Sequence, residues 1–181
     1  MSFLESQRLI MRPFSLRDLN DFHQYAKNPN VGPNAGWSSH KTKWESLKVL
    51  NRFISEENLW AITTRDTGVF LGSIGLHYDA KRTNHKVRML GYSLAEEHWG
   101  HGYATEAARV ILRHGFEQAR LDMISAYHFS SNTASQHVIE KCGFTRDGVI
   151  RMAGVTPRGV MTDHVCYSMS RAEFDALYPK Q

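Results

Sequence analysis

Hydrophobic residues recur with two different periods along the chain, and together these periods predict a succession of strands and helices. Short apolar or alternating runs bounded by turn residues predict strands over 7–13, 59–65, 69–77, 87–94, 122–129, 144–152 and 160–169. From residue 104 to 119, apolar or small residues recur three or four positions apart, which is typical of one face of an amphipathic helix. Further helices are expected over 15–27, 42–55 and 133–141.

Turn and capping residues mark the ends of several of these elements. The tripeptide Asp66-Thr67-Gly68 predicts a hairpin turn between two strands. Ser15-x-x-Asp18 and Ser170-x-x-Glu173 have the spacing of a capping box and therefore predict helix starts. Two prolines and two glycines predict that 28–36 lacks regular structure. We expect the helices on either side of this break to form a mobile flank beside a substrate cleft.

The order of the elements predicts the fold class. Strands joined by short turns, together with helices that cross between parallel neighbours, predict a mixed α/β (α+β) sheet flanked by helices. A length of 181 residues suits one domain with a substantial core, so a single domain is expected over 1–181.

Composition excludes several classes of protein. No apolar run approaches the roughly 20 residues of a membrane span, and the first six residues lack the pattern of a secretory signal. The two cysteines, Cys142 and Cys166, do not form a C-x-x-C pair, so zinc-ribbon and thioredoxin-like chemistry is not expected. A reduced, cytoplasmic setting is the simplest expectation.

The formal net charge of +4 indicates either a mildly basic surface without a specific partner or an attraction for polyanions such as coenzyme A or ribosomal RNA. No block of five or more Lys and Arg residues occurs, and the aromatic signatures of RNA-binding modules are absent. Nucleic acid is therefore not the expected partner.

The most informative segment is the glycine loop from Trp99 to Ala107, which follows a predicted strand and leads directly into a predicted helix. Free backbone N–H groups at a helix N-terminus, at the positive end of the helix dipole, favour a phosphate-bearing ligand. The dinucleotide fingerprint fails because Thr105 stands at its third glycine position, and no G-K-[ST] triplet occurs. His98 and His101 lack H-E-x-x-H spacing, so no metal site is expected.

A second segment, about thirty residues further on, contains Asn132-Thr133-Ala134-Ser135 and then Val138-Ile139-Glu140-Lys141-Cys142-Gly143-Phe144. Together the two segments resemble motifs of the GCN5-related N-acetyltransferase (GNAT) superfamily, and most closely its RimJ/RimL-like branch. In the superfamily motif R/Q-x-x-G-x-G/A, Gly102 and Ala104 match, while Trp99 stands at the R/Q position, as is common in that branch. Arg8-Leu9-Ile10-Met11-Arg12-Pro13 and Asp163-His164-Val165-Cys166-Tyr167-Ser168-Met169 also resemble the branch.

The resemblance implies a GNAT-like fold: a mixed, twisted, mostly antiparallel sheet whose central strands splay apart. It also implies an enzyme that moves an acetyl group from acetyl-CoA to a primary amine by direct attack. The acceptor can be a protein N-terminus, including that of a ribosomal protein, or a small-molecule amine such as a polyamine or an amino sugar, and the sequence does not choose among them.

The resemblance also assigns a donor site. The pyrophosphate is expected on the glycine loop and the pantetheine arm beside the preceding strand, where Gly91 predicts a bulge. Asn132 is expected to cap a helix and contact the pantetheine, and Ser135 to lie near the sulfur. The full set of expected donor-site residues is Tyr92, Ser93, Leu94, Trp99, Gly100, His101, Gly102, Tyr103, Ala104, Thr105, Asn132 and Ser135.

The general base is harder to assign. Many relatives carry a glutamate where this chain has Met89, which cannot accept a proton. His77 and His128, near predicted strand ends, are the leading alternatives because histidine titrates in the right range. His85 and a relay through water remain open.

Other charged residues have less specific interpretations. Glu106 and Asp163 are expected to be structural. Arg109, Arg113 and Lys141 are each able to meet the 3′-phosphate of the coenzyme.

Two other functions remain open. The loss of the acid at Met89 fits a non-catalytic CoA-binding sensor or partner module of the same fold. A basic RNA-associated protein is the third hypothesis, and it rests on net charge alone. Neither a monomer nor a homodimer is favoured by the sequence.

Overall fold

The computed structural model describes residues 3–179, so Met1, Ser2, Lys180 and Gln181, at the ends of the predicted 1–181 domain, lie outside it. The described residues build one eight-stranded sheet in the order β1-β2-β3-β4-β5-β6-β8-β7. Its strands are β1 (Leu4–Glu5), β2 (Leu9–Arg12), β3 (Leu59–Thr64), β4 (Phe70–Tyr78), β5 (Val87–Leu94), β6 (Met123–Phe129), β7 (Thr145–Val155) and β8 (Met161–Ser170).

The helices are α1 (Leu19–Lys27), α2 (Gly32–Ala35), α3 (Lys43–Ser55), α4 (Tyr103–Arg113), α5 (Thr133–Lys141) and α6 (Arg171–Leu177). A 3-10 turn over Leu16–Asp18 precedes α1, and a π turn over His114–Gln118 extends α4. Among the described residues, no helix is both long enough and apolar enough to cross a membrane. The prediction that 28–36 lacks regular structure is wrong in part, because α2 forms there with Pro33 in its first turn, where a missing N–H costs nothing.

Every strand pair is antiparallel except β5 and β6, which are parallel and are connected through α4. The parallel pairing covers only Val87↔Met123 through Met89↔Ser125. Beyond these residues β5 continues to Leu94 and β6 to Phe129 without pairing to each other. The expected mixed, mostly antiparallel sheet with splayed central strands is therefore confirmed.

Two hydrophobic clusters cover the two faces of the sheet. On one face α4 packs its apolar side, including Ile111 and Leu112, against strand residues such as Ile74. On the other face α1 and α3 enclose a cluster that includes Phe22 and Leu50. Both faces are thus covered by helices, and the gap between β5 and β6 lies between the two layers.

Local capping explains why several helices begin where the sequence predicts. Thr42 accepts a hydrogen bond from the N–H of Glu45 at the start of α3, and Ser170 does the same for Glu173 at the start of α6. The carboxylate of Asp18 accepts from the N–H of Ser15 at 2.8 Å. These caps satisfy N–H groups that a helix end leaves free.

Candidate active site

The gap between β5 and β6 opens into a cavity of about 690 Å³ that reaches both layers of the fold. On the α4 side its lining includes the glycine loop and the first turns of α4 and α5. On the opposite side it includes Asn34 and Gly36 from the α2 region and Gly154 and His164 from β7 and β8. We call these the donor side and the acceptor side of the cavity.

The backbone of the glycine loop requires glycine at two positions. Gly100 has a φ of +77° and Gly102 a φ of +78°, in the left-handed region that other residues enter only with strain. A Cβ on Gly100 would meet no other atom within 4 Å, so the space above this residue is open. Because α4 begins at Tyr103, the N–H groups of its first turn have no acceptor within the helix. The loop and helix therefore form a cradle suited to phosphate.

Arg8 holds this cradle in place. Its guanidinium donates to the carbonyl oxygen of His101 at 3.1 Å and to the carboxylate of Glu106 at 2.7 Å, and it lies over the ring of Tyr103. Glu106 also accepts from the hydroxyl of Ser6 at 2.8 Å. Burial acts to raise the pKa of Glu106, but the hydrogen bonds from Arg8 and Ser6 outweigh it and hold the pKa below its ordinary value. Glu106 thus has a structural role, as the sequence predicts.

Tyr92 and Ser135 meet on the donor side. The Tyr92 hydroxyl lies 2.9 Å from the Ser135 hydroxyl and donates to the Ser135 carbonyl oxygen at 3.1 Å. Burial raises the pKa of Tyr92 well above its ordinary value, so the phenol keeps its proton at neutral pH. Since the tyrosine proton is directed to the carbonyl, Ser135 is the donor in the contact between the two hydroxyls, and its O–H can rotate from Tyr92 to another acceptor.

Asn132 caps α5 and also joins the two sides of the cavity. Its side-chain oxygen accepts from the N–H of Ser135 at 3.0 Å, which confirms the predicted cap. Its amide nitrogen donates to the carbonyl oxygen of Asn34 at 3.0 Å. The start of α5 is therefore tied to the α2 region across the opening.

All of the expected donor-site residues except His101 line the cavity. The ring of His101 stacks on Tyr103 instead, with centroids 5.7 Å apart. Trp99 donates its ring N–H to the carbonyl oxygen of Leu94 at 2.8 Å, which joins the loop to the end of β5. Lys141 also lines the cavity, whereas Arg113 is paired with Glu117.

The predicted bulge at Gly91 is wrong. The pairing of β4 with β5 runs without a register shift from Gly72↔Leu94 to Tyr78↔Arg88. Position 91 requires a glycine because a Cβ there would lie 2.9 Å from the ring of His77. What exposes the backbone of β5 is the departure of β6 after Met89.

Of the histidines predicted as bases, only His128 lines the cavity in the described part of the chain. His128 is buried, with 5% of its surface exposed, and lines the cavity. Its Nδ1 lies 2.8 Å from the carbonyl oxygen of Phe129, which can only accept, so Nδ1 carries the proton of the neutral ring. The other nitrogen, Nε2, is buried without a partner among the described residues. His128 therefore presents a buried lone pair beside the cavity.

His77 and His85 do not line this cavity. His77 packs over Gly91, where burial lowers its pKa. The structure thus does not bring His77 into the lining that holds Ser135 and His128; His77 shares a face of the sheet with its register partner Met89 but lies outside the cavity. Met89 does line the cavity, at the last β5–β6 pair.

His164 and Lys81 line the cavity but have no role in the sequence-based assignment. His164 lies opposite Phe129 in the β6–β8 register, and its Nδ1 is buried without a partner among residues 3–179. Burial, together with the charge of Lys81, lowers the pKa of His164. Lys81, in the loop between β4 and β5, is the second residue. The sequence offers only the resemblance of 163–169 to a known branch as a signal for His164, and none for Lys81.

Comparison with known proteins agrees with this geometry. The family described as "Acetyltransferase (GNAT) domain" matches residues 8–145. The uncharacterized N-acetyltransferase YoaA of Bacillus subtilis (strain 168) is 30% identical over 153 residues, which cover 82% of this chain and 85% of YoaA.

Solved structures share the fold. The crystal structure of an acetyltransferase (GNAT family) from Bacillus anthracis superposes with a TM-score of 0.85 at 23% identity, covering 95% of this chain and 100% of that one. A ribosomal-protein-S5-alanine acetyltransferase from Vibrio fischeri superposes with a TM-score of 0.74 at 18% identity, covering 94% and 97% of the two chains.

Proposed function

The chain belongs to the GNAT acetyltransferase family and is an N-acetyltransferase, and from this premise we propose that it transfers an acetyl group from acetyl-CoA to a primary amine. The observation that carries the proposal is the cavity between β5 and β6, which has a phosphate cradle on one side and, beside it, histidine nitrogens that have no partner within residues 3–179.

The donor side suits the coenzyme. The open space above Gly100 and the free N–H groups at the start of α4 would hold the pyrophosphate. The β5 backbone beyond Met89, which has no partner on β6, would bind the pantetheine amides. Lys141 adds a positive charge to the same side. When bound, acetyl-CoA supplies a thioester carbonyl, which amines attack directly.

His128 is the base that we propose for the acceptor. Amide formation makes a C–N bond and breaks the C–S bond, and an acceptor that arrives as an ammonium ion loses two protons. His128 Nε2 takes the first proton, because its Nδ1–H is fixed on the Phe129 carbonyl, and releases it to solvent after the product has left the cavity. The second proton, lost as the amide forms, balances the proton that the departing thiolate takes up.

Ser135 is the donor of that proton to the sulfur. Its hydroxyl lies beside Tyr92, which keeps its own proton on the Ser135 carbonyl. Because a thiol has a pKa of about 8.5, modest proton donation is sufficient. The N-cap bond from Asn132 holds Ser135 at this point of α5.

The branch and the acceptor are the finer part of the proposal. We propose membership of the RimJ/RimL-like branch from the motifs at 8–13 and 163–169. The acceptor would then be a protein N-terminus, a ribosomal one included, or a small-molecule amine, with no role for nucleic acid. A single domain acting in the cytoplasm is consistent with two free, buried cysteines.

Calorimetric titration with acetyl-CoA tests the donor assignment, with Gly102→Trp as the variant. Gly159→Trp is the matched control, because Gly159 also has a φ of +78° but lies in the turn between β7 and β8 and does not line the cavity. We expect micromolar binding that Gly102→Trp abolishes and Gly159→Trp retains. Turnover with a panel of amines then separates an enzyme from a non-catalytic CoA-binding module, and a folded wild-type protein that binds no acetyl-CoA refutes the proposal.

A further inference from the structure

The cavity has an unusual charge distribution for a site that receives an amine. No Asp or Glu is among its lining residues in the described part of the chain, and its lysines are Lys81 and Lys141. An acceptor with several positive charges would find no carboxylate to replace the water it loses on binding. The lining therefore disfavours polyamines and amino sugars with several amino groups.

The two lysines lie on different sides of the cavity. Lys141 ends α5 on the donor side, where the guanidinium of Arg109 donates to its carbonyl oxygen. Lys81 lies on the acceptor side, with its ammonium 4.2 Å from the ring centroid of Tyr127. It therefore remains available to a second substrate when the donor site is filled.

The loop that carries Lys81 is firmly anchored. The backbone N–H of Lys81 donates to the carboxylate of Asp79 at 2.8 Å. The guanidinium of the next residue, Arg82, forms ion pairs with the carboxylates of Asp79 at 3.0 Å and Asp147 at 2.7 Å. Tyr127, whose ring supports the ammonium, donates its hydroxyl to Asp79 at 2.5 Å. An anchored loop loses less conformational entropy when its lysine binds an anion than a mobile loop would.

The neighbouring carboxylates are already engaged. Asp79 is buried and accepts from Ser125, Tyr127 and Arg82. Asp147 accepts from Ser168 at 2.7 Å as well as from Arg82. Neither carboxylate lines the cavity, and none within the described residues forms an ion pair with Lys81. The Lys81 charge thus faces the cavity without a fixed counter-ion.

We propose that Lys81 is the anion-recognising residue of the acceptor site, and that the acceptor is an amine that also carries a carboxylate or a phosphate. This inference rests on the proposed function, because it assumes that the amine reaches the thioester through the acceptor side. The buried Nδ1 of His164 adds a polar partner for the same molecule.

Matched amines that differ by one anionic group test the inference. The carboxylate arm compares L-leucine with isoamylamine, the phosphate arm compares phosphoethanolamine with ethanolamine, and spermidine represents polycations. We expect the anionic member of at least one pair to have a kcat/KM about tenfold above that of its partner, since a hydrogen bond to a charged group contributes on that order. The arm that responds identifies the anion.

Substitution of Lys81 assigns the effect to this side chain. Lys81→Gln should lower kcat/KM for the preferred anionic amine about tenfold while leaving the neutral partner unchanged, and Lys81→Arg should retain most of the preference. Lys48→Gln is the matched control, because Lys48 also lies over an aromatic ring, that of Trp44, but outside the cavity.

The outcomes distinguish the two proposals. If acetyl-CoA does not bind, the proposed function fails and the acceptor site fails with it. If acetyl-CoA binds but spermidine or the neutral amines are preferred, or no anionic amine is acetylated, the acceptor proposal alone is overturned. An equal loss for both members of a pair in Lys81→Gln also overturns it, since a structural defect would act on both.

Discussion

A histidine with one nitrogen fixed and the other buried beside a cavity is well placed to act as a base. In His128 the Phe129 carbonyl selects the tautomer, and burial keeps water from competing for Nε2. We expect His128→Asn to lower kcat about 10²- to 10⁴-fold, the usual contribution of general base catalysis. Steady-state kinetics with a saturating amine, together with acetyl-CoA titration, measures this effect separately from donor binding.

His77→Asn is the control for that substitution. His77 is also a partly buried strand histidine, but it packs over Gly91 outside the cavity. We expect its kcat to stay within about threefold of the wild type, a difference of roughly 0.65 kcal/mol. Equal losses in the two variants would contradict the assignment of the base to His128.

Removing the hydroxyl of Ser135, with Ser131 as the control, tests the proposed proton donor. Ser135→Ala removes the proposed proton donor but keeps the backbone N–H that Asn132 caps, so the helix should remain. We expect kcat to fall about tenfold with little change in acetyl-CoA affinity, because thiolate departure needs only modest assistance. Ser131→Ala, in the exposed turn before α5, should leave kcat unchanged. A Ser135→Ala enzyme with wild-type kcat would exclude the role.

At the scale of elements, the sequence predicts the helices and strands whose capping residues or hydrophobic periodicity lie within the element itself. The capping boxes at Ser15 and Ser170 and the helical period from 104 onward are such signals, and the structure confirms them. α2 was missed because its four residues include a glycine and a proline, and its packing against the rest of the fold is not encoded locally. The π turn after α4 falls within the helix predicted over 104–119 and continues the same apolar face.

The connection between β4 and β5 depends on one buried carboxylate. Asp79 joins this loop to β6 through Ser125 and Tyr127, and to β7 through Arg82 and Asp147. We expect Asp79→Asn to lower the free energy of unfolding by about 3 kcal/mol, because the buried carboxylate that accepts from Ser125, Tyr127 and Arg82 would be lost and Arg82 would keep only Asp147 as a charged partner. Denaturant unfolding of this variant beside Asp175→Asn, an exposed position on α6, measures the difference.

The same network predicts a direction for the effect of pH. Burial acts to raise the pKa of Asp79, but the hydrogen bonds from Tyr127, Ser125, the Lys81 N–H and Arg82 outweigh it and hold the pKa below its ordinary value. The stabilisation is therefore complete above the unfolded-state pKa, near 4, and is lost as pH falls through the lower folded-state pKa. The wild-type advantage over Asp79→Asn should be constant at neutral pH and shrink below about pH 4. An advantage independent of pH would contradict this account.

At the scale of the whole molecule, the site combines what sequence can and cannot reveal. The glycine loop and Asn132 with Ser135 are contiguous motifs, so their donor role could be predicted. Lys81 and His164 are more than eighty positions apart in the chain and meet at the cavity because β6 pairs with β8 beside the β4–β5 loop. No local period encodes that meeting, and which of His77 and His128 lines the cavity likewise depends on the tertiary arrangement of the strands.

The two-sided cavity makes a final prediction about kinetic order. Because donor and acceptor sides lie on opposite layers and meet between β5 and β6, both substrates can be bound at once. The chain's thiols do not suit an acetyl-enzyme intermediate: both are buried, and burial raises the pKa of Cys142 to about 11. We expect intersecting initial-velocity lines when both substrates are varied. We also expect no mass increase of one acetyl group after incubation with acetyl-CoA alone. Parallel lines together with an acetylated cysteine would instead show a covalent route.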